Sequence, residues 1–512
     1  MSASPVASSA AWTPSRVRCT RASPARAWRC PARRLDRRGR VARASDAADG
    51  SASYRDLLDA KVARTRELFG DLLPPEGLEV YASPRTRGFR QRCRFAVVRE
   101  GASGAGDVSP RVEAPSSVGS GNLRYALFER GRVVVLDARD ANAFGAASRA
   151  IAELMPRVLD ALNDLDKRED ASGSAPSDPS PLTENLSAVG FLSNRAGDVI
   201  VTLWNGTKRG TKRTKKAEEN SDAFDERWET AAIAFRESLE PYGVKGVVSR
   251  RRRKTLANGA DRVWEETAVP SFSSLMIPKN DDRDDASSVD TLRLSMVEGA
   301  FSNPNADVAE ITAAWLRETA IRALAEREDE DETPRREGKR KKEKKKRKPS
   351  LTELYCGNGT HAVNLARAFH AVTAVEIEPR LCAAAEENFA ANGVTNARVQ
   401  ATPAETFSAR RSASGDDDDD DDDDAETNET ETADDFILVD PPRAGLDPVT
   451  LSLVRRYRTI VYIACDSRSL VRDLRERKLS QTHELKRAAV FDHFPYSEFC
   501  EVVVWAERRR EK

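Results

Sequence analysis

From residue 54 onward the apolar positions change period several times. Leucine or valine at 57, 58, 62 and 68 recurs at helical spacing, which predicts a helix over 54–73 that stops at Pro74-Pro75. Residues 90–98 alternate instead, the period of a strand, with Arg90, Arg92 and Arg94 on one face. Apolar runs at 123–128 and 132–136 predict a strand pair turning at Arg130-Gly131. A second amphipathic helix is predicted over 147–165, followed by a linker rich in Ser, Pro and Asp. A strand at 199–203, a helix around 228–239 and a strand at 244–249 repeat the mixture. Residues 45–295 are therefore expected to form an α+β domain with polar inserts.

After residue 350 the pattern is different. Short apolar runs at 351–356, 371–375, 398–401, 436–439 and 459–463 are separated by helix-period stretches at 360–369, 379–392 and 448–457. Strand–helix alternation of this kind predicts an α/β fold with a doubly wound, Rossmann-like parallel sheet, assigned here to residues 296–512. The segments 278–290, 328–349 and 411–434 lack the apolar residues that offset ordering entropy, and disorder is expected there.

Composition narrows the class. With 39% hydrophobic residues in 512, the chain can bury a core in two or three domains. No apolar run approaches the roughly 18–20 residues of a membrane span. Seven cysteines are scattered without a C-x-x-C pair, so neither a disulfide framework nor a structural metal or iron–sulfur site is expected. The net charge is zero, but it is a sum of blocks. Residues 1–44 carry eleven arginines, no lysine and the single acid Asp36. That composition predicts a transit peptide into an organelle, with the Ser/Ala bias favouring plastid over mitochondrion. Eleven Lys/Arg at 335–348 oppose fourteen acids at 411–435, including an unbroken aspartate run at 416–424. Overall charge therefore says nothing about partners.

The candidate chemistry lies at the ends of the C-terminal strands. The first closes in Glu353-Leu354-Tyr355-Cys356-Gly357-Asn358-Gly359-Thr360, and the next in Glu376, nineteen residues after Gly357. Glycines at a strand-to-helix turn let a ligand approach the backbone, and an acid at that spacing suits the ribose hydroxyls of a nucleoside-type cofactor. No P-loop lysine and no complete G-x-G-x-x-G is present, which favours S-adenosylmethionine over ATP or NAD. The fourth strand delivers Asp440-Pro441-Pro442-Arg443 and the fifth Ala464-Cys465-Asp466 at the same rim, while Glu501 opens a later apolar run. A thiol and a carboxylate converging on a methyl donor suit methylation of a pyrimidine at carbon 5. Cys465 would add to carbon 6 and Glu501 would take the carbon-5 proton. Cys356, Cys382 and Cys500 read as small buried hydrophobes.

These residues carry a resemblance. Glu353 to Gly359, Asp440-Pro441-Pro442-Arg443-Ala444-Gly445-Leu446-Asp447, Tyr462-Ile463-Ala464-Cys465 and Phe491-Asp492-His493-Phe494-Pro495-Tyr496-Ser497 are similar to motifs of the bacterial-type tRNA (uracil-5-)-methyltransferases, which form ribothymidine in the T-loop. Phe301-Ser302-Asn303-Pro304-Asn305 resembles that family's F-x-Q-x-N element. The resemblance implies Cys465 as nucleophile and Glu501 as proton acceptor. It implies S-adenosylmethionine contacts at Asn303, Tyr355, Thr360, Glu376 and Asp440, and a place for Phe301 in the uracil pocket. It also implies tRNA as partner, since the ribosomal-RNA paralogues usually carry a cysteine cluster that this chain lacks. Three departures bear on activity: Asn303 is one methylene shorter than the family's glutamine, Phe499 replaces a histidine, and Asp466 sets a negative charge beside the thiol.

Arg85, Arg87, Arg90, Arg92 and Arg94, with basic stretches at 208–216 and 250–254, are expected to grip RNA phosphates from the N-terminal domain. The chain is expected to be monomeric. Alternatives are the same chemistry on ribosomal RNA, a catalytically weakened tRNA-binding and folding factor, and an amino-methyltransferase that needs no cysteine.

Overall fold

The computed structural model describes residues 53–100, 121–129, 132–140, 143–167, 180–206, 215–251, 254–276, 288–332, 349–413 and 436–509. The expected transit peptide and the greater part of each expected disordered insert lie outside these residues. Helix α1 (Tyr54–Phe69) and strand β1 (Leu78–Tyr81) come first, then β2 (Arg92–Arg99), β3 (Leu123–Glu129), β4 (Arg132–Leu136) and α2 (Arg149–Lys167). Strands β5 (Leu186–Ser193) and β6 (Val199–Asn205), helix α3 (Lys215–Leu239), β7 (Val244–Arg251) and β8 (Lys254–Gly259) follow. An antiparallel pair, β9 (Arg262–Pro270) and β10 (Val289–Val297), flanks the short α4 (Phe272–Met276) and leads into the long helix α5 (Ala306–Glu332). The remainder alternates as β11 (Leu351–Leu354), α6 (Thr360–Leu365), β12 (Val372–Glu376), α7 (Pro379–Ala391), β13 (Ala397–Ala401), α8 (Ala404–Ala413), β14 (Phe436–Val439), α9 (Pro448–Val454) and β15 (Thr459–Ala464). It closes with α10 (Ser467–Arg475), α11 (Leu479–Thr482), β16 (His483–Phe491) and β17 (Glu501–Arg508).

The expected doubly wound sheet is present. It has eight strands in the order β1-β16-β17-β15-β14-β11-β12-β13. The five strands from β15 to β13 pair in parallel, and those at the centre are buried along their whole length, as a sheet covered on both faces requires. Chain order reverses between β11 and β14, which opens a crevice at the carboxyl ends of those strands. Strand β17 runs antiparallel between β15 and β16. A second sheet of seven strands, β4-β3-β2-β5-β6-β7-β8, carries the N-terminal core of Phe95, Tyr125, Leu154, Phe191 and Trp228.

The division expected at residue 295 does not match the sheets. Strand β1 pairs with β16, and α1 packs Leu58, Val62 and Phe69 into the core beneath β14, β15 and β17. A Ser53–Asp56 capping box starts that helix. The reason is chemical as well as hydrophobic. Lys61 is 2% exposed and donates to Asp492 Oδ1 at 2.7 Å and to the Phe494 carbonyl at 2.8 Å, tying α1 to the loop after β16. The inserts are also shorter than expected. Helix α5 continues to Glu332 and α8 to Ala413, beyond the positions 328 and 411 at which disorder was expected.

Removing one partner of a buried ion pair leaves the other desolvated and unpaired. Lys61→Ala is expected to lower stability by about 3–5 kcal/mol in urea unfolding, and the double variant Lys61→Met/Asp492→Leu to recover most of it.

Candidate active site

Strand β11 ends in a turn that departs from ordinary backbone geometry. Tyr355, Gly357 and Gly359 adopt φ of 62°, 57° and 73°. Left-handed geometry at a non-glycine residue costs roughly 1–2 kcal/mol, so the Tyr355 conformation is imposed by its surroundings. At Gly357 a Cβ would meet nothing within 4 Å, so the space above that backbone is open. At Gly359 it would sit 3.0 Å from Ala385 Cβ and 3.1 Å from Phe389, because α7 packs directly on the turn. Asn358 is fixed by a bond from its Nδ2 to the Ser295 carbonyl, and Thr360 Oγ1 donates to Asn358 Oδ1 at 2.7 Å.

Glu376, at the end of β12, faces this turn. Its Oε2 accepts the Gly357 N–H at 2.9 Å, and its Oε1 accepts those of Ile377 and Glu378 at 2.9 Å each. The carboxylate is thus anchored to the turn with lone pairs to spare, beside an exposed Ile377. An open glycine backbone, an anchored acid and an apolar surface fit an adenosine-type cofactor, with ribose hydroxyls donating to Glu376. Tyr355 is half-buried against the core rather than standing free in the crevice, and burial pushes its hydroxyl up to about 12. Two residues before Tyr355 lies Glu353, fully buried in β11. Burial, with Asp440 and Glu376 nearby, pushes its carboxyl well above the usual range.

Across the crevice the strand ends assemble the reactive groups. Asp440 follows β14, and its N–H reaches the Leu354 carbonyl at 3.3 Å. Cys465 follows β15. The last pair between β15 and β17 is Ala464 with Val502, so the register sets Cys465 opposite Glu501. Glu501 is also the residue paired with Phe491 at the end of β16. Burial pushes the Cys465 thiol up, Asp440 and Glu501 push it further, and Arg443 opposes them. The two acids are driven apart. Burial and the Glu501 charge push Asp440 well up. Burial also pushes Glu501 up, but His493 and His361 outweigh it and hold the carboxyl below its usual range. Glu501 is therefore the ionised acid of the pair.

Three features were not anticipated from sequence. His493 is completely buried and places Nε2 3.2 Å from Glu501 Oε1. His361, beside the same carboxylate, is pushed by burial down to about 4, with Glu501 opposing the shift. Only four histidines occur in the chain, and two of them flank Glu501, a coincidence the sequence could have signalled. The third is what the arginines do. Arg92 bonds the Ala300 carbonyl, Arg250 pairs with Glu298 at 2.6 Å, Arg85 pairs with Asp307 at 2.5 Å, and Arg94 stacks 4.3 Å from the Trp204 ring. Four of the arginines expected to meet RNA phosphates thus make contacts within the protein. Much of that basic stretch holds residues 298–307 in place, because a loop with exposed carbonyls needs donors. Most of the 208–216 stretch, and Arg252 and Arg253, lie outside the described residues.

The loop so held carries Phe301, 72% exposed, and Asn303. Asn303 bonds inward, with Nδ2 3.2 Å from His493 Nε2 and Oδ1 accepting the Asn305 N–H. The charge expected to oppose the thiolate is neutralised. Asp466 caps α10 and is gripped by Arg468 at 2.7 Å. Phe499 lies under the Arg443 guanidinium at 4.7 Å. Cys356 and Cys382 are buried and Cys500 is half-buried, none in a disulfide among the described residues.

The family model described as tRNA (Uracil-5-)-methyltransferase matches residues 341–509. The tRNA/tmRNA (uracil-C(5))-methyltransferase of Chromohalobacter salexigens is 30% identical over 463 residues, covering 89% of this chain and 96% of that protein. The protein of the same name from Pseudomonas paraeruginosa is 31% identical over 462 residues, covering 90% and 98%. Among solved structures, the Pyrococcus abyssi tRNA (uracil-54, C5)-methyltransferase in complex with S-adenosyl-L-homocysteine superposes with a TM-score of 0.50 at 16% identity, covering 89% of this chain and 84% of that one. That likeness extends to the fold, whereas the likeness to the bacterial enzymes runs through nearly the whole of both sequences. With a glycine cradle, a thiol and an ionised acid gathered at one sheet rim, the chain belongs to the tRNA (uracil-5-)-methyltransferase family and is an enzyme of that class.

Proposed function

We propose that this enzyme methylates carbon 5 of a T-loop uridine in tRNA, forming ribothymidine through a covalent bond between Cys465 and carbon 6. The observation that carries the reading is the β15–β17 register, which, continued one residue past Ala464–Val502, sets Cys465 opposite Glu501 at the rim that the glycine turn shares. Cys465 sulfur adds to carbon 6, and the displaced π electrons make carbon 5 nucleophilic. Glu376, Thr360 and the Tyr355–Gly359 turn would hold S-adenosylmethionine, whose sulfonium charge would favour the thiolate and which would give its methyl group to carbon 5 and leave as S-adenosylhomocysteine. Glu501 then removes the carbon-5 proton. The C–H electron pair forms the C5=C6 double bond, and the C6–S bond breaks to return the thiolate. A uridine within a folded loop must be turned out of its stack to reach Cys465, and the exposed Phe301 would line its pocket. The substrate reading is supported by the names of the bacterial relatives, and the leader composition supports import into a plastid.

Incubation with the methyl donor and tRNA containing 5-fluorouridine should trap the wild-type protein as a covalent adduct on Cys465. Cys465→Ala should form no adduct and lose ribothymidine synthesis by at least about a thousandfold. Ribothymidine formed undiminished by Cys465→Ala would instead exclude the covalent route, and mapping the product separates tRNA from ribosomal RNA. Because burial and two acids push the thiol up while Arg443 lowers it, adduct formation should quicken as pH rises through neutrality. Arg443→Gln should move that rise to higher pH. Residues 1–44 fused to a fluorescent protein should direct it into plastids, and a cytosolic or mitochondrial signal would count against the proposed address.

A further inference from the structure

Glu501 sits among groups that work against its ionisation. Asp440 from the end of β14 and Cys465 from the end of β15 both develop negative charge on ionisation. His493, from the end of β16, is the one direct hydrogen-bond partner of the Glu501 carboxylate among the described residues. Its side chain is 0% exposed. Its carbonyl receives the Asn305 amide at 3.5 Å, and its neighbour Asp492 is locked by Lys61.

The hydrogen on this ring can be placed from its neighbours. Nδ1 is buried and has no partner, whereas Nε2 meets three polar atoms. Glu501 Oε1 at 3.2 Å can only accept when ionised. Thr312 Oγ1 at 3.4 Å already donates its hydrogen to the Val308 carbonyl at 2.9 Å, so it too accepts from the ring. Two acceptors against one amide, Asn303 Nδ2, favour the tautomer with hydrogen on Nε2. A hydrogen bond to an ionised acceptor is stronger than one to a neutral carboxyl. The contact therefore favours Glu501 before it has taken a proton and weakens once it has.

Resting on the function proposed above, we propose that His493 is the positioning residue for the base: its Nε2–H holds one Glu501 oxygen and leaves the other to receive the carbon-5 proton. His493 thereby decides which of the two buried acids, Asp440 or Glu501, does the work. Asn303, whose Nδ2 lies 3.2 Å from the same ring nitrogen, sets the loop that carries Phe301 against the base.

The test compares His493→Phe, which keeps a ring but no donor, with His493→Gln, which keeps an amide donor. Each is assayed with ordinary tRNA and S-adenosylmethionine. In His493→Phe, addition and methyl uptake continue but release stalls. A methylated Cys465–RNA adduct should then accumulate on denaturing gels, with kcat reduced on the order of a hundredfold and KM for tRNA held within about twofold. His493→Gln should release product and recover most of kcat. A purely structural role would lower methyl uptake and adduct together, and glutamine would not rescue it; that result overturns the inference. So does a His493→Phe enzyme that turns over like wild type. If His493→Phe does not fold, His493→Asn, whose shorter amide cannot reach, must show the same stalled adduct. Wild-type protein that forms no adduct on 5-fluorouridine tRNA removes the proposed function and this inference with it. An adduct-forming wild type beside variants that release normally removes this inference alone.

Discussion

The site depends on the direction of one strand. Parallel strands bring only their carboxyl ends to the rim of the sheet. Strand β17 enters antiparallel between β15 and β16, so its first residue, not its last, arrives at that rim. Glu501 therefore lies across from Cys465, although α10, α11 and β16 intervene in the chain. A slip of one residue in this register would turn Glu501 to the other face of the sheet. Val502, Val503, Val504 and Trp505, all buried, prevent the slip by packing both faces.

Around that register the N-terminal half acts as a clamp. Arg92 and Arg250 reach across from the seven-stranded sheet to the Ala300 carbonyl and Glu298, while the Gln91 N–H bonds the Pro304 carbonyl. Lys61, from the first helix, secures Asp492 and Phe494 on the opposite flank. Two loops that carry no regular structure are thus each fixed by buried or half-buried cations, and they meet where Asn303 touches His493.

The reactive residues were legible because their positions follow from strand ends. The apolar run 436–439 is β14 to the residue, and 459–463 gives β15 short by one, so Asp440 and Cys465 could be placed on a rim from periodicity alone. What stayed hidden depends on residues with two plausible lives. Arg92 and Arg250 read as phosphate contacts because a sequence does not reveal that an unpaired carbonyl waits across the fold. Lys61 falls on the buried face of α1, where a lysine reads as a flaw in the helical stripe rather than a partner for Asp492. Helix α5 went unseen because Arg317, buried and bonded to Asn364, Pro270 and Asp290, interrupts its apolar face. Asp466 looked harmful until its helix-capping role and Arg468 were in view.

The charged inserts attach at informative points. One leaves after Glu332 and returns ahead of β11, and the other leaves after Ala413 and returns ahead of β14. Both returns are made at the amino ends of parallel strands, while the chemistry is gathered at the carboxyl ends. The scaffold therefore has a working side and an indifferent side. Segments inserted at these two points rejoin the sheet at the end away from the catalytic rim. The same two points are natural places to attach a label or an affinity handle to the enzyme.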